Sequence, residues 1–291
     1  MSADRLPEKG RTRMATSTRK KIKPARAHAT SAKAAQGGSS FFGSYLTQSR
    51  APLTILVFLL PLLISYEILL ALALRSADGV VVTNEAHRWI LSLFGAFELG
   101  AVGLWLPGVL VVAILLIWHS VERRPWKVEG AVVGLMWSES IVLALPLLVF
   151  SQAALRIPQS AVAGVEFDSL SLGGKIAVSV GAGIYEELLF RLGLIGVLLM
   201  VFEDALKTSR AVGTSIAIGL SALAFMGYHS LRDASGSVLP SRVVFFLGAG
   251  VYFGVLYVAR GFGIAVGAHA FYDMGSAIFA AVASPSASAD S

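Results

Sequence analysis

Three groups of ionisable residues interrupt apolar stretches in the second half of this chain. They are Glu186-Glu187-x-x-x-Arg191, Phe225-x-x-x-His229 and His269-x-x-x-Asp273. Carboxylates and imidazoles are expensive to hold in such surroundings, so they are rare there and mark sites or pathways. On a helix, residues four apart share a face. Glu187 and Arg191 therefore stand as an intrahelical pair with the acid first, the favourable order. Glu186 points elsewhere and is free to face another helix, which makes it the better candidate for a general base. Phe225 and His229 share a face near the end of their segment, with Phe225 read as packing. In His269-x-x-x-Asp273 the carboxylate can fix the imidazole tautomer, or both can ligate a metal. Glu186, His229, His269 and Asp273 together supply two imidazoles and two carboxylates. Such a set could bind zinc with one open position, or serve without metal as base, acid and oxyanion donors. Either way the chemistry is the activation of water.

These residues need elements to hold them, and the composition says which. Of 291 residues, 55% are hydrophobic and only 14% charged, with a mean hydropathy of +0.72. Soluble chains carry about 25% charged residues, so this is an all-α, polytopic membrane protein. A spanning helix needs about 20 apolar residues. Seven segments qualify, at roughly 52–74, 99–118, 130–150, 176–201, 211–229, 242–259 and 262–283. Residues 80–97 mix aromatic and aliphatic side chains with Glu85, His87 and Arg88, a pattern suited to a helix lying in the interface. Glu67 and Glu139 sit in spans without a basic partner four residues away. Either can line the cavity, pair with Arg191 across helices, or simply be protonated, and a supporting role is expected. Glycines such as Gly183 and Gly250 mark close helix approach.

The net charge of +6 is unevenly distributed. Through Arg50 the chain holds eleven basic and two acidic residues, so the rest is net acidic. This excludes a basic core for nucleic acid. It leaves a disordered, basic tail over 1–45 and a helical domain over 46–285, with its motif core at 175–283. The tail's charge places the N-terminus in the cytoplasm, in a multi-pass protein of the plasma (bacterial inner) membrane. Beyond the tail the loops hold six basic residues on each side, so orientation rests on the tail. The absence of cysteine excludes thiolate ligands, a cysteine nucleophile and disulfides.

The three motifs, in this order on apolar helices, resemble those of the CPBP family of intramembrane proteases. That family includes type II CAAX prenyl endopeptidases and bacteriocin-processing or self-immunity proteins. The resemblance implies an endopeptidase acting in or near the bilayer on a membrane protein or peptide, prenylated in the CAAX-processing members. It implies that Glu186 activates water with His229, and that His269 and Asp273 stabilise the oxyanion. Glu187 and Arg191 complete the implied catalytic set. The cofactor stays open between none and a divalent metal such as zinc on Glu186, His229, His269 and Asp273. One departure matters: the CAAX-processing members most similar here carry Asn where this chain has Asp273. An ionised Asp cannot donate to an oxyanion, so Asp273 must be protonated, orient His269, or ligate metal. With the tail inside, Glu186 and His229 fall in the outer half of the membrane, whereas a prenylated protein arrives from the cytosol. The competing readings are a non-catalytic scaffold or immunity protein, and an ion-coupled transporter.

Overall fold

Exposed aliphatic side chains run down the outer faces of the helices at helical spacing. Ile64, Ile68 and Leu72 form one such stripe, Val142, Leu145 and Val149 a second, and Val251, Val255 and Val258 a third. Apolar faces on this scale are stable against lipid, and the inward faces pack on one another. The computed structural model describes residues 41–73, 85–94, 105–154, 156, 170–233 and 235–283. Of the expected disordered tail over 1–45, residues 1–40 lie outside the described residues, as does the chain end at 284–291, while 41–45 are helical and Tyr45 is bonded to Glu139.

From Gly43 onward the chain forms one compact helical unit. A short helix over 41–48 precedes α1 (Pro52–Ala73), α2 (Glu85–Phe94), α3 (Leu106–Glu122), α4 (Gly130–Ala154) and α5 (Leu172–Glu187). The helix that begins as α5 continues as a π-helix over Leu188–Ile195, one α turn over Gly196–Leu199, and a second π segment over Met200–Ala205. Then follow α6 (Arg210–Tyr228), α7 (Pro240–Arg260) and α8 (Phe262–Ala283). Among the described residues there is no strand, only an isolated bridge between Arg232 and Val238.

Five described helices are long and apolar enough to cross a membrane: α1, α4, α6, α7 and α8. The shorter apolar α3 and the composite α/π helix from Leu172 correspond to the other two expected spans. Within the stretch 80–97 expected to lie in the interface, the described residues form the short helix α2, and 80–84 and 95–97 lie outside the described residues. Helix ends have local causes. Ser171 caps α5 by accepting from the Gly174 amide at 3.2 Å, and Ser209 caps α6 through the Val212 amide at 3.4 Å. Pro240 opens α7 at a position where no amide is needed.

Helices α5 and α8 form the centre of the bundle. Every described residue from Gly181 to Glu187 is buried, and on α8 so is every residue from Phe262 to Ala270. Their approach requires Gly183, where an added Cβ would stand 2.8 Å from the Ala270 backbone nitrogen. Helices α6 and α7 meet in the same way at Gly250, whose Cβ would lie 2.8 Å from Ala222 Cα. Small residues thus bring together the four helices that carry the polar groups.

Candidate active site

Glu187 is the hub. Its Oε1 lies 2.9 Å from Arg191 Nη1 and 2.8 Å from His269 Nδ1, and neither Glu187 nor Arg191 has any exposed side-chain surface. The pairing expected within one helix is present, and the same oxygen also anchors the last helix. Arg191 lies in the π segment, where the widened turn leaves Phe190 and Arg191 both buried. The carbonyl of Phe190 accepts from Ser221 Oγ of α6 at 2.8 Å. The guanidinium lies over the Phe225 ring at 4.3 Å, faces Phe253 at 5.4 Å, and donates to the Gly250 carbonyl at 3.3 Å. Desolvated cation–π contacts of this kind reach about 2 kcal/mol. Phe225, expected to be packing alone, is part of the seat of the buried cation.

His229 is the C-terminal cap residue of α6, in extended conformation, and it keeps the expected face, with its ring 4.6 Å from the Phe225 ring. Its ring folds back, with Nδ1 2.8 Å from the Phe225 carbonyl oxygen. A carbonyl can only accept, so a proton sits on Nδ1, and in the neutral ring Nε2 then carries the lone pair. That Nε2 is 3.6 Å from Glu186 Oε2. Two acceptors facing each other at this separation suit a molecule that donates to both. Glu186 Oε2 is buried and has no hydrogen-bond partner within the protein.

His269 completes the ring of groups. Its Nε2 is 4.0 Å from Glu186 Oε2 and 3.4 Å from Asp273 Oδ2. With a carboxylate near each nitrogen, this imidazole is set to donate from both edges. Two phenylalanines of α7, absent from any motif, hold the imidazoles in place. Phe246 stacks on His229 at 3.9 Å and 19°, and Phe253 stacks on His269 at 4.5 Å and 18°. They stand seven residues apart on one face, a signal indistinguishable in sequence from ordinary packing. Tyr228 packs edge-on to His229 at 5.0 Å and to Trp89 of α2 at 5.1 Å, and its hydroxyl interacts with Glu186.

The supporting acids divide differently from expectation. Glu139 does not reach Arg191. It is held by Arg260, with Nη2 to Oε2 at 2.7 Å, and by the Tyr45 hydroxyl. Arg260, read from sequence as a loop cation, therefore serves a span carboxylate. Glu67 receives the Tyr185 hydroxyl at 3.4 Å and stands apart from the cluster. A zinc set does not assemble: among the described residues no three His, Asp or Glu side chains form a group that could hold a metal ion. Glu187 already occupies His269 Nδ1, leaving only Nε2 of that ring to serve as a ligand.

A helical bundle that buries acids, an arginine and two imidazoles at one point beneath apolar outer faces defines an integral membrane protein with an enzyme-like polar centre. Residues 169–275, which contain all six candidate residues, match the family model described as "Type II CAAX prenyl endopeptidase Rce1-like". That match covers less than half of the chain and supports a likeness to the CPBP family of CAAX-type intramembrane proteases. No curated protein and no solved structure gives a match.

Proposed function

We propose that this protein is an intramembrane endopeptidase in which Glu186 and His229 activate water and His269 polarises the scissile carbonyl. The observation that carries the reading is the pair of facing acceptors. Glu186 Oε2 lacks any protein partner and stands 3.6 Å from an imidazole nitrogen whose tautomer leaves it a lone pair. A water between them donates one proton to each and turns its own lone pair toward the substrate. As its oxygen bonds to the carbonyl carbon, Glu186 takes the proton. The carbonyl oxygen gains the negative charge and is met by His269 Nε2. Collapse of the intermediate breaks the C–N bond, and the proton held by Glu186 passes to the leaving amine.

Asp273 fits the orienting alternative, since its carboxylate faces His269 Nε2 and is partly exposed. Glu187 and Arg191 act through others: Glu187 fixes His269, and Arg191 compensates Glu187. The substrate is a membrane-associated peptide or protein. The basic tail supports a cytoplasmic N-terminus, and a prenyl group on the substrate is the reading the family favours. Membrane fractions from cells carrying wild-type or Glu186→Gln protein, compared for new protein termini, test the proposal. Termini that vanish with Glu186→Gln are expected; an unchanged set at equal protein abundance refutes hydrolysis by this site.

A further inference from the structure

Helix α2 is joined to the catalytic groups at two points. Its inward residues Ala86, His87 and Ile90 are buried, while Arg88 and Trp89 are exposed. At the first point the His87 ring packs with Tyr66 of α1 and Tyr185 of α5, at centroid separations of 5.5 and 4.9 Å, and its Nδ1 lies 2.7 Å from the Tyr66 hydroxyl. Tyr185 immediately precedes Glu186. At the second point the Trp89 ring meets Tyr228, the last residue of α6, at 5.1 Å and 89°. Tyr228 in turn packs edge-on to the His229 ring at 5.0 Å and to Phe190 at 5.3 Å. Its hydroxyl interacts with the Glu186 carboxyl and with the backbone of Ala86. Ala86 lies in the first turn of α2, where amides have no partner within the helix and can donate to a hydroxyl oxygen.

Glu186 Oε2 and His229 Nε2 stand 3.6 Å apart on different helices, and His229 is already in extended conformation. Two acceptors do not attract each other, so their separation is set by what holds each of them from behind. Resting on the proteolytic reading, we infer that Tyr228 is a positioning residue that holds Glu186 through its hydroxyl and His229 through its ring, and that Trp89 and Ala86 of α2 seat it. One side chain thus touches both groups that address the water, while Glu186 Oε2 keeps no protein partner and stays available to that water. A tyrosine hydroxyl suits this place because it donates to a carboxylate and accepts from an amide at once. Misplacement of reacting groups by about 1 Å can cost about a hundredfold in rate, so the seat matters as much as the contact. Helix α2, which is not among the five long apolar helices, is by this account part of the active site and not a connector.

Two measurements on the full chain test the assignment, one through cleavage and one without it. In membranes containing wild-type, Glu186→Gln, Tyr228→Phe, Trp89→Leu or Trp89→Phe protein, the rate at which Glu186-dependent protein termini appear is measured per amount of enzyme, beside thermal melting. In the same purified proteins, diethyl pyrocarbonate labels the histidines, and mass spectrometry reads His229 against His119, which is buried at the far end of α3. Tyr228→Phe loses only the hydroxyl and should slow terminus formation about tenfold or more with melting unchanged. Trp89→Leu unseats Tyr228 and should slow it as far, with His229 labelled several-fold faster and His119 unaltered. Trp89→Phe keeps an aromatic ring on Tyr228 and should restore both readings. A wild-type rate in Tyr228→Phe, unchanged His229 labelling in Trp89→Leu, or a parallel rise at His229 and His119 overturns the positioning role. If wild-type membranes yield no Glu186-dependent terminus, the proteolytic reading fails, and the labelling still decides whether α2 holds His229 through Tyr228.

Discussion

Replacing Arg191 by Met should expose how the buried charges are balanced. Arg191 and Glu187 are fully enclosed, with Glu187 Oε1 shared between the guanidinium at 2.9 Å and His269 at 2.8 Å. Met fills much of the volume but leaves Glu187 as a buried carboxylate with one partner. Removing one member of such a pair costs about 3–5 kcal/mol. The lost contact with Phe225 overlaps with that figure rather than adding to it, so about 4 kcal/mol is expected. The double variant Glu187→Gln/Arg191→Met removes the orphaned charge, and its stability should return to within about 1–2 kcal/mol of wild type. The double variant should therefore be about 2–3 kcal/mol more stable than Arg191→Met alone, measurable by denaturant titration of the four forms in one detergent. Activity should not follow stability. The double variant has lost the carboxylate that fixes His269 and should remain about 10–100-fold impaired, as when a carboxylate behind a functional histidine is removed. If Arg191→Met unfolds within 1 kcal/mol of wild type, or the double variant is weaker than both single ones, the charge-balance argument is wrong.

Other changes probe separate parts of the molecule. Gly183→Leu forces a side chain against the Ala270 backbone and should destabilise by about 3 kcal/mol or more, read as lower yield and earlier melting; Gly134→Leu, at an open position, should not. Asp233 Oδ1 accepts from Ser235 Oγ at 2.6 Å and from the Ser235 and Ser237 amides at 2.8 and 2.9 Å, and these bonds hold its carboxyl below the usual range. Their contribution is present above the unfolded value near ~3.9 and fades as pH falls through the lower folded value. At neutral pH, Asp233→Ala should speed hydrogen exchange at Ser235 and Ser237 while the helix amides keep their protection. Asp273→Asn should retain or increase cleavage, because the amide can both accept from His269 and donate to an oxyanion; a loss beyond about tenfold would show that the carboxylate itself is needed.

How much of this was legible depended on whether partners lay on one helix. Glu187 and Arg191 are four apart, and their pairing follows from spacing alone. The contact between Glu187 and His269 spans 82 positions and depends on Gly183 bringing α5 against α8, so no local pattern encodes it. The same applies to Glu139 and Arg260, which face each other across α4 and α7. The spans were readable from their greasiness, but the π turns were not, because hydrophobic content does not report helical pitch. The shared face of Phe225 and His229 followed from spacing, but not the break of the helix at Tyr228 that leaves His229 extended. Phe246 and Phe253 were hidden by being ordinary apolar residues on an apolar helix. Their role appears only once the imidazoles they stack on are placed.

The charge census of the cluster explains why Asp at 273 matters. Glu186, Glu187 and Asp273 are three acids gathered around one guanidinium, with two imidazoles among them. Low-dielectric surroundings penalise an unbalanced group, so protons must be shared within it. His229 is tied to a carbonyl through Nδ1 and has no carboxylate behind it, whereas His269 has one near each nitrogen. The two rings are thus differentiated: one is arranged to accept, the other to donate. Between the acceptor ring and the donor ring stands Glu186, whose Oε2 is 3.6 Å from His229 and 4.0 Å from His269. With Asn at position 273 the cluster would carry one acid fewer, and His269 would keep Glu187 at Nδ1 with Glu186 4.0 Å from Nε2. Asp273 therefore reinforces the donor character of His269 while adding negative charge beside the developing oxyanion. Those two effects oppose each other, and their balance is what distinguishes this site from one built with an amide at that position.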